Sequence, residues 1–190
     1  MMGKVVAALY VQEDGCYNGL DDVDMWTERR DARLYAGPFP VVAHPPCKRW
    51  GRYWHGSPRS PHSYVLGDDG GCFTFALRAV RRFGGVIEHP AASKAWAFHG
   101  LNAPPHDGGW VFADNHDGFT CQVSQGWYGH NAPKATWLYV NGTDLPDLRW
   151  GKSYATGRID GLKGGNKYRL REATPIPFRD LLLEIARTAL

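Results

Sequence analysis

The sequence has few of the features that would place it quickly. None of its four cysteines (Cys16, Cys47, Cys72, Cys121) forms a Cys-x-x-Cys pair, which excludes zinc-ribbon and zinc-finger spacings. No run approaches the roughly 18 apolar residues of a membrane-spanning helix. The apolar stretch within MMGKVVAALYVQEDG has no small-residue cleavage site, so no secretory signal is expected. Charge of one sign is scarce too. Lys and Arg total 22 against 19 Asp and Glu, a formal net charge of +3, too mild to indicate a nucleic-acid partner by itself. Internal repeats and low-complexity tracts are absent. What remains is a chain of 190 residues, 43% hydrophobic and 22% charged, which reads as one globular cytoplasmic domain over 1–190 with reduced thiols and no membrane contact. Aromatic residues are the exception to this scarcity, with eight Trp and 13% aromatics.

The small net charge hides a segregation. Residues 13–31 hold seven acids, whereas residues 32–67 hold none. That second stretch carries Arg33, Lys48, Arg49, Arg52 and Arg59 with His44, His55 and His62, and Trp50, Tyr53 and Trp54 interleave with the bases. Cations mixed with aromatic rings suit a loop that meets phosphates and stacks bases. A solvated loop of scattered charges is the plainer alternative.

Short apolar runs stopped by Pro or Gly predict strands over 4–10, 40–44 and 84–88. Phe73, Ala76, Leu77 and Val80 fall at helical spacing and predict a helix over 71–83, ended by Gly84-Gly85. Residues 21–30 are expected to form a weak helix. Residues 119–124 and 135–140 read as an antiparallel pair at a sheet edge. A helix from Thr174 as N-cap, with Pro175 and Pro177 in its first turn, runs to the end. Segments 99–118 and 141–167 are loop-rich. The pattern predicts a three-layer α/β fold with a mostly parallel, Rossmann-type sheet.

In such sheets ligands bind beyond the carboxyl ends of the strands. Two ends here are chemically loaded, VVAHPPCKRWGRYW (41–54) and GGVIEHPAASKAW (84–96). Cys47 follows a rigid Pro-Pro turn and precedes Lys48 and Arg49, cationic neighbours of the kind that favour a thiolate. Glu88 sits at the tip of the next strand, beside His89. A Cys nucleophile and a Glu acid on neighbouring tips suit addition to an electron-poor ring. A metal shared by His44, Cys47, His89 and His130 is disfavoured, because the prolines hold the first two extended. Gln125, Tyr128, His130 and Lys134 lie in a loop that could approach the same place.

HPPC followed about forty residues later by IEHP resembles the two catalytic motifs of cytosine carbon-5 DNA methyltransferases. Together with YGHNAPKATWLY (128–139) and the lead-in RRDARLYAGPFPVVAHPPC (29–47), the pattern resembles small phage- and prophage-type methyltransferase-like proteins, over roughly residues 29–140. The resemblance implies a methyltransferase-like fold and a DNA or pyrimidine-nucleotide substrate. It also implies that Cys47 attacks ring carbon 6, that Glu88 holds and protonates ring nitrogen 3, and that S-adenosylmethionine is the cofactor, with no metal. His44, Arg49, Trp50, Arg52, His89 and Lys134 are then the expected substrate contacts. Asp31 becomes the adenine-side acid, and Asp14 or Asp24 the ribose acid.

Two departures bear on these expectations. His89 stands where the family has Asn. No Gly-x-Gly turn follows the first strand, although a nucleotide cofactor of this kind needs close backbone approach there. Three readings therefore stay open: carbon-5 methyl transfer, the same Cys and Glu chemistry without S-adenosylmethionine, and a non-catalytic phage DNA-binding or anti-restriction protein.

Overall fold

The computed structural model describes residues 5–57, 60–61, 64–157 and 173–189. Arg59, His62 and the 158–167 part of the second loop-rich segment lie outside them. Strands β1 (Val6–Leu9), β2 (Val23–Trp26) and β3 (Val41–Ala43) precede a small antiparallel hairpin of β4 (Gly56–Ser57) and β5 (Ser60–Pro61). Helix α1 (Cys72–Phe83), strand β6 (Gly85–Pro90) and the short helix α2 (Lys94–Phe98) follow. Then come β7 (Val111–Phe112), β8 (Phe119–Ser124), β9 (Ala135–Asn141) and a last helix, α3 (Ile176–Arg187).

Among the described residues seven strands form one sheet in the order β2-β1-β3-β6-β9-β8-β7. The first four run parallel, β9 runs against β6, and β8 runs against β9 and so regains the common direction. The fold is mixed α/β, mostly parallel and Rossmann-like, and the antiparallel pair expected near an edge is there.

Alternation along each central strand builds two cores. Ala7, Leu9, Val41, Ala43 and Ile87 face α1 and α2, meeting Phe73, Leu77, Val80 and Trp96. Val6, Ala8, Val42 and Val86 face the other way, toward Phe178, Leu182 and Ile185 of α3. The sheet is thus the middle of three layers, as expected. Gly85 opens β6 at a positive φ, where a Cβ would strike the Val41 main chain. The close β3–β6 approach depends on that glycine.

Two expected elements are corrected. Residues 23–26 are a strand paired with β1, not part of a helix. Val23 and Met25 contribute to the α3-side core and Trp26 to the other, so period two wins over a weak helical pattern. At α3 the N-cap is Pro175, with no side-chain cap, and Thr174 stands one residue outside.

Candidate active site

The forward strands β1, β3, β6 and β8 all end at one edge of the sheet, and the reversed β9 begins there. Ala43 pairs with Ile87, which sets His44 level with Glu88. His44 continues the alternation of Val42, and Glu88 that of Val86, so both side chains lie on the α3 side. Glu88 is buried, at 9% exposure. His44 Nδ1 donates to its Oε2 (3.1 Å), since a carboxylate only accepts. Gln125, just past β8, gives Nε2 to Glu88 Oε1 (3.1 Å) and to Thr136 Oγ1 (2.9 Å). On the far side of His44, Nε2 meets the Tyr17 hydroxyl (2.9 Å). Tyr17 comes from the turns after β1 and is 2% exposed. A chain Tyr17–His44–Glu88–Gln125–Thr136 thus crosses the sheet end.

Burial alone would raise the Glu88 carboxyl, but the His44 hydrogen bond and the charges of His44 and Lys134 outweigh it and hold Glu88 below the usual carboxylate range. Glu88 is therefore ionised at neutral pH. Burial pushes the Tyr17 phenol far above its ordinary value, so Tyr17 keeps its proton.

Cys47 is exposed, three residues beyond His44. Cys16 and Cys72 are half-buried and Cys121 is buried. Burial is the main cause raising Cys16, Cys72 and, most strongly, Cys121, so their thiolates are suppressed. The segment after Cys47 is pinned from below. Trp50 is 1% exposed, its main-chain N–H donates to Cys47 O (3.0 Å), and its O accepts from Lys94 N (2.9 Å). Its indole N–H donates to Asp69 (2.8 Å), whose carboxylate also takes the Gly71 and Phe73 amides at the start of α1. Gly67, at φ +78, lies so close that a Cβ would enter the Trp50 ring. Trp50 is therefore a core anchor rather than a base-stacking surface, a correction of the sequence expectation. Trp50→Ala is expected to cost about 3–5 kcal/mol, a Tm loss of about 10 °C in a chain of this size, which differential scanning calorimetry will read.

His89 is also corrected. It points to the α1 side, away from His44 and Glu88, in edge contact with Phe73 (5.3 Å) and near Trp96 (6.2 Å). At 1% exposure it has no route to a substrate, and it packs beneath the Pro45-Pro46 turn. Among the described residues no group of three or more His, Cys, Asp or Glu is placed to hold a metal.

The basic residues divide. Arg52 is exposed with its guanidinium near the Tyr53 ring (5.6 Å), and Arg49 lies over Tyr64 (3.3 Å). Lys134 donates to Ala173 O (3.1 Å). His130 is buried, and its ring meets the Ala132 main chain within its own turn. A hollow of about 670 Å³, lined by Pro133 and residues 152–157, adjoins the same sheet end, because Ser153 accepts from Ser124 at the end of β8 (2.9 Å). Tyr154 projects into solvent there, at 86% exposure.

The acids expected around S-adenosylmethionine are not gathered. Asp24 lies within β2, bound to Trp26 Nε1 (2.8 Å) and Arg30 (2.5 Å). Asp31 makes a two-pronged pair with Arg33 (2.8 Å for each contact), and Asp14 is exposed. Turns and a bend follow β1 over residues 13–19, so no helix N-terminus faces a ligand there. Gly15 is used by its own turn, its N–H donating to Gln12 O (3.1 Å). These residues do not fit that cofactor in its usual place.

In comparisons with known proteins the chain matches no family model, no curated protein and no solved structure. Of the site residues, Tyr17 and Thr136 carry no signal in the sequence. Tyr17 sits among turn residues with no period, and Thr136 looks like any strand threonine.

Proposed function

We propose that the protein is a nucleic-acid base-modifying enzyme that activates carbon 5 of a pyrimidine, with Cys47 as nucleophile and Glu88 at ring nitrogen 3. The observation that carries this reading is a buried, ionised Glu88 on the strand tip next to the one whose Pro-Pro turn exposes Cys47. The resemblance of HPPC and IEHP to cytosine carbon-5 methyltransferases gives those two groups their roles. A mostly parallel sheet with a reversed strand near its edge agrees with the architecture the resemblance implies.

The Cys47 thiolate forms a bond to carbon 6. The carbon 5–carbon 6 π pair shifts to join carbons 4 and 5, and the carbon 4–nitrogen 3 pair moves onto nitrogen 3, which takes a proton through Glu88. Carbon 5 is then an enamine carbon that accepts an electrophile. With water as the only co-reactant it takes a solvent proton. Loss of its original hydrogen and departure of the thiolate restore the base. A base in duplex DNA must leave the stack to reach such a site. Lys48 and Arg52 in the loop, and Lys152 with Tyr154 beside the hollow, suit phosphate and stacking contacts.

A second reading, the same chemistry without S-adenosylmethionine, is favoured by the β1 exit, where no glycine turn leads into a helix. The test serves both. A cytosine-containing DNA oligonucleotide is incubated with the protein in D2O, without any added cofactor, and the bases are analysed by mass spectrometry. Gain of one deuterium at carbon 5 of cytosine is the expected result. Absence of exchange, with oligonucleotide binding retained, would leave a binding protein.

A further inference from the structure

Glu88 is ionised at rest, yet addition at carbon 6 requires a proton on nitrogen 3 at the moment the thiolate attacks. A carboxylate cannot supply it alone. We infer that His44 is the positioning residue that stores this proton and passes it through Glu88, with Tyr17 fixing the far side of the imidazole. This inference rests on the function proposed above. Three features carry it: the His44 Nδ1 to Glu88 Oε2 contact (3.1 Å), the Tyr17 to His44 Nε2 contact (2.9 Å) and the register that sets His44 level with Glu88.

The proton balance closes. The His44 imidazolium gives its Nδ1 proton to Glu88 Oε2, and Glu88 gives a proton to ring nitrogen 3. His44 is left neutral, its Nε2–H donated to the Tyr17 oxygen. When the adduct collapses, the proton returns by the same route. Tyr17 closes the line, because its buried phenol does not ionise. Gln125 holds the other Glu88 oxygen (3.1 Å), so the carboxylate cannot swing away from His44 between the two transfers.

The charged and titratable groups around this line come from several elements. Cys16, Arg179 and Asp180 act on Tyr17. Lys134 acts on Glu88 from the start of β9, and His89 acts on it from across the sheet. None of these stands between His44 and Glu88.

The test follows the pH dependence of carbon-5 deuterium exchange in the whole protein. His44→Gln keeps a hydrogen-bonding side chain but stores no proton. It is expected to lower the maximal rate by about a hundredfold and to change the shape of the pH profile. Tyr17→Phe deletes one hydroxyl and is expected to lower the rate less than His44→Gln and to change the pH profile in the same direction. A ring ¹⁵N spectrum of the free protein gives a readout independent of activity. The His44 Nδ1 proton is expected to be protected from water, and that protection is lost in Glu88→Gln. An unchanged pH profile in both His44→Gln and Tyr17→Phe, with exchange intact in the natural chain, would overturn the relay and leave the Cys47–Glu88 reading standing. Exchange missing from the natural chain itself would remove both.

Discussion

Cys47→Ala is expected to abolish carbon-5 exchange while leaving the fold unchanged. The two halves of this result have separate causes. Cys47 is exposed and fills no core space, so its removal should shift stability by no more than about 0.5 kcal/mol. The loop is held instead by Trp50, through Asp69 and Lys94. In the proposed reaction the Cys47 thiolate forms the bond to carbon 6, and without that bond carbon 5 of cytosine is not nucleophilic. Loss of a covalent nucleophile costs at least about a thousandfold in rate. Single substitutions of Cys16, Cys72 and Cys121 are expected to leave exchange in place, since burial raises all three thiols. Deuterium incorporation and a thermal melt, measured on the same preparations, separate the chemical effect from the structural one. An active Cys47→Ala protein would remove Cys47 from the chemistry.

The second large effect is on stability against acid, and it resides in His89. Burial lowers the ring to about 4 from its ordinary 6.5. Neither ring nitrogen reaches a hydrogen-bond partner of good geometry, although the Pro45 and Pro46 carbonyls face the ring. As pH falls through 6.5 the unfolded chain protonates this histidine, whereas the folded chain resists until about 4. In that window protons favour the unfolded state, and about 3 kcal/mol of stability is lost. Above the window both states are neutral and the full stability is present. His89→Leu keeps the packing against Phe73 and Trp96 and is expected to be neutral or stabilising at pH 7.5, with little loss down to pH 5. Glu88 acts lower. Its folded carboxyl is held below the ordinary 4.5, so its contribution is present above that value and lost as pH falls further. Urea unfolding of both proteins between pH 7.5 and 4 measures the difference. Equal acid slopes would show that His89 is not buried in the neutral form.

Much of the frame was legible in the sequence. Strand β8 follows its apolar pattern residue for residue, and α1 has a clean stripe between Gly71 and Gly84. Glu88 and the HPPC turn stand out in the sequence because proline stops both strands and their tips carry unusual chemistry. Other features were not legible for identifiable reasons. Strand β2 has four residues at a sheet edge, too few for period two to show against neighbouring acids and bases. Helix α2 was missed although Ser93 caps it, its Oγ accepting from Ala95 N (3.1 Å). Five helical residues give no stripe. Among basic residues Trp50 reads as a stacking surface, and only the fold shows Asp69 and the space at Gly67 that receive its ring. Glu88 and His89 are neighbours in sequence but lie on opposite faces of β6, so one belongs to the site and the other to the core beneath the Pro-Pro turn. Tyr17 reaches His44 only through the irregular path after β1, which no local pattern encodes.

The most direct measurement is covalent capture. A DNA oligonucleotide carrying a pyrimidin-2-one base offers a carbon 6 that is electrophilic enough to hold a thiol without any second substrate. Incubation with the natural chain, followed by intact mass spectrometry and peptide mapping, is expected to show one oligonucleotide attached at Cys47, with no attachment in Cys47→Ala and much less in Glu88→Gln. Absence of an adduct, or an adduct at Cys16 or Cys72, would contradict the assignment of Cys47 and Glu88 as the reacting pair.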